Sequence, residues 1–188
     1  MNARSAIPLI ILDPRPEADA TRGTACDAPV EAIDLLPTFI EAAGGVPPAH
    51  RLEGRSLVPL LHGARPPDWR DAVFSEIDYA FYAAREMLGV APSEARGYML
   101  RTEDWKYVHF RHFPPQLFDL RNDPDEFFDL GRDPGHEAVR REMQDRLIER
   151  LTARRNRVTM TDAEVIALRE DEEGAGIIIG RWEEGPPR

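Results

Sequence analysis

The chain has 188 residues, with 24 Lys and Arg against 34 Asp and Glu, giving a net charge of −10 and a pI near 5.0. That balance excludes nucleic acid and anionic membrane surfaces as partners, because both require a cationic footprint. A content of 42% hydrophobic and 31% charged residues suits a folded domain of ordinary size, with or without appended arms, and 17 prolines and 13 glycines imply many loops.

Met1 to Ala6 followed by Ile7-Pro8-Leu9-Ile10-Ile11-Leu12-Asp13 places a short apolar core after Arg4, the order of a signal peptide. Pro8 and the Asp13-Pro14-Arg15 break favour a strand over residues 7–12 instead, buried on both faces. Residues 15–26 read as a polar loop. Asp34 to Gly45 reads as a short helix capped by Asp34, with Pro37 in its first turn. Leu36, Phe39, Ile40 and Ala43 would form its apolar face and Gly44 its left-handed stop. Residues 54–63 are expected as a loop with one helical turn, 72–78 as a strand, and 81–88 as a brief helix ended by Gly89 and Pro92.

Tyr98 to Arg101 reads as a strand, turned back by Thr102-Glu103-Asp104 onto a second in which Trp105, Tyr107 and His109 alternate with Lys106, Val108 and Phe110. A third strand at Gln116 to Leu120 closes with Asn122-Asp123-Pro124-Asp125. Antiparallel pairing of the three follows. Asp133 and Pro134 start the clearest helix, along which Val139, Met143, Leu147 and Leu151 recur every four residues, so it is expected to cover the sheet. Thr161 and Glu164 form a capping box for a shorter helix. Gly176 to Trp182 is a compact apolar strand candidate before a polar tail.

The side chains that carry chemistry are scattered. Lys106 is the only lysine beside 23 arginines, a bias of genome composition. Cys26 is the only cysteine, which excludes an intrachain disulfide. His109 and His112, with Cys26, His50, His62 or His136, could be metal ligands only if the fold assembled them, since two positions astride a strand end share no face. Asp123, Asp125, Glu126 and Asp129 lack the central glycine and spacing of a calcium loop and read as solvated turn acids. Gly54-Arg55-Ser56-Leu57-Val58 lacks the second glycine of a nucleophile elbow. Tyr79, Tyr82 and Arg85 sit between a strand end and a turn, where loops form the rims of sites. Arg85 could meet an anionic ester and the tyrosines its organic group; equally, Arg85 could be an ion-pair partner and the tyrosines packing residues.

Several of these segments, in this order, resemble the sulfatase branch of the alkaline phosphatase superfamily: Ile7 to Pro14, Asp34-Leu35-Leu36-Pro37-Thr38 with Ala43-Gly44-Gly45, Gly54 to Leu61, Trp105-Lys106-Tyr107, and Leu117-Phe118-Asp119-Leu120. Tyr82-Ala83-Ala84-Arg85, Arg96 to Leu100 and the Ile177 to Trp182 end are most similar to phosphonate monoester hydrolases. The resemblance implies an α+β fold, a small antiparallel sheet packed with a carboxy-terminal helix, plus an amino-terminal strand and helix left over from the family's large α/β sheet. It divides the chain into 1–70, a remnant of the main domain, 71–155, the antiparallel subdomain, and 156–188, an arm.

The resemblance also implies hydrolysis of phosphonate, phosphate or sulfate esters at a divalent metal, manganese, zinc or calcium, by a hydrated formylglycine made from Cys or Ser in Cys/Ser-x-Pro-x-Arg. This chain has no such motif: Cys26-Asp27-Ala28-Pro29-Val30 has the wrong spacing and no arginine. It also has no Asp-His or Asp-Asn pair. No residue of the chain is therefore expected to be catalytic, to bind a cofactor or to hold a metal. The expected state is the carboxy-terminal part of a hydrolase, inactive alone and cytoplasmic, partnered by a missing amino-terminal half or the product of a split gene. A homo-oligomer, or a non-catalytic scaffold with this fold, is the alternative.

Overall fold

A computed structural model describes residues 8–155 and 158–167 of the chain. Four strands form one antiparallel sheet in the order of the sequence: β1 (Val73–Asp78), β2 (Arg96–Arg101), β3 (Trp105–Phe110) and β4 (Gln116–Asp119). Among the described residues five α-helices accompany it: α1 (Leu35–Ala42), α2 (Val58–Leu61), α3 (Ala83–Met87), α4 (Glu137–Thr152) and α5 (Asp162–Ala167). The fold is mixed α+β, with the long helix on one face of the sheet.

Register follows from the turns. The amide of Trp105 donates to Thr102 Oγ1 at 3.0 Å and that of Thr102 to the Trp105 carbonyl at 2.8 Å, which sets Arg101 opposite Lys106. Leu100 then lies opposite Tyr107, and Tyr107 opposite Leu117, so the three share the sheet face that α4 covers. With Met143 and Leu147 of α4 they form the main core, flanked by Phe74, Tyr98, Trp105, Leu130, Val139 and Leu151. Full burial of each large apolar side chain contributes about 1.5–3 kcal/mol. The four-residue repeat read along the helix is the buried stripe. Burial also pushes the Tyr107 hydroxyl above its ordinary pKa.

The turn after β4 is locked by acids. Asp119 accepts from the amides of Arg121 and Asn122 at 3.1 Å and from the Asn122 side chain at 2.8 Å. Asp123 accepts from the Phe128 amide at 2.8 Å, while Asp129 accepts from Leu117 at 3.0 Å and Gly131 at 2.8 Å. Glu126 pairs at 2.6 Å with the buried Lys106, which lies over the Phe118 ring. Asp123, Glu126 and Asp129, read as solvated, therefore hold backbone or a buried cation. The Asp133 carboxylate accepts from Gly135 at 2.9 Å and starts a short 3-10 turn that runs into α4. Thr161 and Glu164 exchange bonds as a capping box requires.

A second core holds the amino-terminal part, where Ala28, Leu57 and Trp69 are buried among Ile11, Val30, Leu35 and Leu60. Two expectations fail in this part. Residues 8–12 form no strand: Ile11 turns inward to this core, while Ile10 and Leu12 are 94% and 75% exposed, because no neighbouring strand is present to take the backbone bonds. Helix α1 is also turned away from the expected side. Its buried residues are Pro37 and Thr38, and Leu36 and Phe39 face solvent, since the Thr38 hydroxyl binds the Leu57 amide at 2.8 Å and pins that face inward. Gly44, at φ +81, does supply the left-handed stop, with the Gly45 amide bonded to the Ile40 carbonyl. Ile7 and the strand candidate at 176–182 lie outside the described residues.

Candidate functional site

The most deeply buried polar centre among the described residues is built on Asp34. Expected as a helix cap, it instead ends a 3-10 turn, is fully buried, and makes no side-chain bond to α1. Its carboxylate accepts from both Arg70 Nη atoms, and at 2.7 Å from the amides of Glu31 and Arg55. Gly54 permits this, because a Cβ there would come within 2.0 Å of the Ile33 carbonyl oxygen. Trp69 is the platform: Arg55 and Arg70 both lie over its ring, and its Nε1 donates to the Pro29 carbonyl. Glu31 reaches across to the Phe74 amide of β1 at 2.7 Å, and Arg150 of α4 pairs with Glu53 at 3.1 Å and Glu31 at 3.6 Å. Burial opposes ionisation of Glu53, yet the Arg155 amide and the Arg150 guanidinium outweigh it and lower its pKa. Every member is paired within the chain. This centre binds the amino-terminal core to the sheet and α4 and offers no open position for a ligand.

A second polar cluster is Asp13, held by the Arg15 guanidinium and amide and by His62 Nε2 at 3.2 Å. The Arg15 side-chain and backbone bonds, with His62, keep its carboxyl well below the usual carboxylate range. Arg22 donates to the Asp13 and Arg15 carbonyls, and the Thr21 hydroxyl to that of Leu61, so the loop is tied to the end of α2.

The excursion between β1 and β2 carries the residues expected at a rim: Tyr79 and Tyr82 line one hollow, and Arg85 turns back on its own loop. Arg85 bonds within its own loop: Nε donates to the Ala80 carbonyl at 2.9 Å, Nη1 to Val90 at 3.1 Å, and Nη2 to Glu86 at 3.1 Å. Its role is to close the 80–90 loop, the structural alternative. Tyr79 is buried, edge-on to Phe110, with no hydrogen-bond partner for its hydroxyl, whereas Tyr82 is exposed. Ile77, Tyr79, Tyr82, Ala84, Leu88, Phe110 and Phe113 line an apolar hollow of about 440 Å³. Phe110 and Phe113 escape a reading by local sequence, since they reach the hollow only when β3 folds back beside β2. The adjacent Phe81 and Met87 are visible in sequence as bulky apolar residues in a short, turn-bounded segment.

The histidines stay apart. His62 pairs with Asp13, His112 with Glu94 at 3.1 Å and His136 with Asp133 at 2.7 Å, while His112 sits at φ +68 past the end of the strand carrying His109. Among the described residues no three His, Cys, Asp or Glu side chains come together to hold a metal ion. The residues described thus do not fit the divalent metal that the resemblance implies, and no step is assigned to one. Among them, too, no helix is long and apolar enough to cross a membrane.

Residues 2–153 match the family described as N-sulphoglucosamine sulphohydrolase, C-terminal. The multifunctional alkaline phosphatase superfamily protein PehA of Trinickia caryophylli is 35% identical over 145 residues, 75% of this chain but 28% of PehA. Arylsulfatase K of Danio rerio is 33% identical, over 63% of this chain and 21% of its own. Among solved structures, the phosphonate monoester hydrolase SpPMH of Silicibacter pomeroyi is 32% identical with a TM-score of 0.66, over 76% of this chain and 29% of its own. That of Agrobacterium radiobacter is 36% identical with a TM-score of 0.58, over 63% and 24%. The chain thus spans less than a third of the length of these relatives. By the match over residues 2–153, together with the four-stranded sheet and its covering helix, the chain belongs to the carboxy-terminal sulfatase family, within the alkaline phosphatase superfamily.

Proposed function

We propose that this chain is the carboxy-terminal portion of a metal-dependent hydrolase of phosphonate, phosphate or sulfate esters. On this reading it is inactive alone, and the remainder of the enzyme supplies the formylglycine nucleophile and the metal ligands. The observation that carries the reading is the coverage: most of this chain matches, and it accounts for only 28% of PehA. The lack of any Cys/Ser-x-Pro-x-Arg motif agrees with it. So does the exposure of Ile10, Leu12, Leu36 and Phe39, side chains of the kind a further domain would cover. A non-catalytic scaffold is the second reading, favoured by the closed core between α4 and the sheet, which needs nothing further to bury it.

Reconstitution separates the two. The chain is co-expressed with the portion of PehA outside the matching region, its formylglycine generated, and hydrolysis of aryl phosphonate, phosphate and sulfate monoesters is measured with added manganese or zinc. Turnover that requires both pieces is expected. Formation of a complex that never turns over any of the three esters would favour the scaffold.

A further inference from the structure

The excursion between β1 and β2 is built to present apolar side chains outward. Arg85 donates to the carbonyls of Ala80 and Val90, the two ends of the loop, and Gly89, at φ +65, turns the chain after α3. Tyr79, Val90 and Ala95 fill the space beneath, with Ala80, Phe110 and Phe113 against them. The loop is therefore held from inside. On its outer side Phe81 is 98% exposed and Met87 87%, and Tyr82, Leu88 and Ile77 are also exposed. Ile77, Tyr82 and Leu88 line the hollow with Phe110 and Phe113, and Phe81 and Met87 project from the same loop outside it.

We infer that this hollow and its two projecting side chains are a preformed docking surface for the remainder of the hydrolase polypeptide. A small organic ligand could fill about 440 Å³ but would leave Phe81 and Met87, which do not line the hollow, in water, so only a macromolecular surface covers all of these side chains. No cation is among the residues lining it, and the occupant must present an apolar surface rather than an anion. More than two thirds of the length of the relatives lies outside this chain, which identifies the occupant by mass and by attachment. Fixing the loop beforehand removes its ordering cost from association. The inference rests on the reading of the chain as part of a larger hydrolase, and it adds the place where that part joins.

The test uses the full chain with the portion of PehA outside the matching region. Hydrogen exchange is followed at residues 77–90, free and in the mixture, and affinity is measured for the chain and for its double variant Phe81→Ser, Met87→Ser. The expected result is slowed exchange at 77–90 in the complex and at least a tenfold loss of affinity in the variant, whose Tm alone equals that of the parent. A complex that forms with unchanged exchange at 77–90 and equal affinity of the variant overturns this inference while leaving the proposed function standing. Self-association of the isolated chain that the double variant abolishes makes a second copy the occupant and also overturns it. Failure of any complex to form counts against the proposed function itself, and this inference falls with it.

Discussion

Asp34 illustrates how a residue recognised for one local role serves another. Sequence places it ahead of an apolar helix, where a cap is the natural assignment. Its partner Arg70 lies 36 positions away and no local pattern announces it. Removing one member of a buried, hydrogen-bonded pair typically costs about 3–5 kcal/mol. Asp34→Ala is therefore expected to lose stability of that order in urea unfolding, and a loss no larger than that of a surface substitution would show the centre to be dispensable. Gly54→Ala should also destabilise, by about 1–3 kcal/mol, because its methyl group must displace the Ile33 carbonyl. The acids set the pH response. Folding lowers the pKa of Asp13 through Arg15, of Asp119 through Asn122, and of Asp133 through the Gly135 amide and His136. A carboxylate with a lowered folded pKa contributes stability that is fully present above its unfolded value, about 4, and lost as pH falls through the folded value. The Tm should be level between pH 8 and 5 and fall below about pH 4, with Asp13→Asn shrinking that fall. A Tm that holds level down to pH 2 would contradict this.

Among the elements, those specified by near neighbours were legible and those dependent on distant ones were not. Trp105 to Phe110 alternates with period two, Met143 and Leu147 repeat at four, and Gly44 supplies a positive φ, so β3, α4 and the end of α1 can be read directly. The same hydrophobic logic misplaces the face of α1, because Thr38, a polar residue, is the one drawn inward by Leu57. It also misreads residues 8–12, whose strand character needs neighbours that the described residues do not provide. For Arg85 both an anion-binding and an ion-pair role stay open in the sequence, because two of its acceptors are carbonyls, which every residue possesses and no sequence pattern marks. Helix α4 is the element whose loss matters most. Leu147→Ala should cost about 2–5 kcal/mol by opening a cavity against Tyr107 and Leu117. A change below 1 kcal/mol would mean that the helix packs loosely. The opposite result is expected at the bare segment: Ile10→Asn with Leu12→Asn should raise solubility and leave Tm unaltered, and a fall in Tm would show that these side chains are buried in solution.

At the scale of the whole molecule, the chain has two well-packed cores and a polar centre joining them, yet it leaves apolar side chains bare at Ile10 and Leu12, on α1 and around α3. A chain that spans 20–29% of its relatives' length is expected to do so, since the surfaces that meet the rest of such an enzyme must be apolar. Family membership was legible because its signatures sit in turns and short strands of this region. The site was not, because the motifs that define it are missing from the sequence. The claim on which the account turns is that the catalytic apparatus lies outside this chain. The most direct test is turnover of p-nitrophenyl esters of phosphonate, phosphate and sulfate by the purified chain alone, with manganese or zinc added. The account predicts no hydrolysis above the rate without protein. Hydrolysis that survives purification and is abolished by a single substitution in this chain would contradict it.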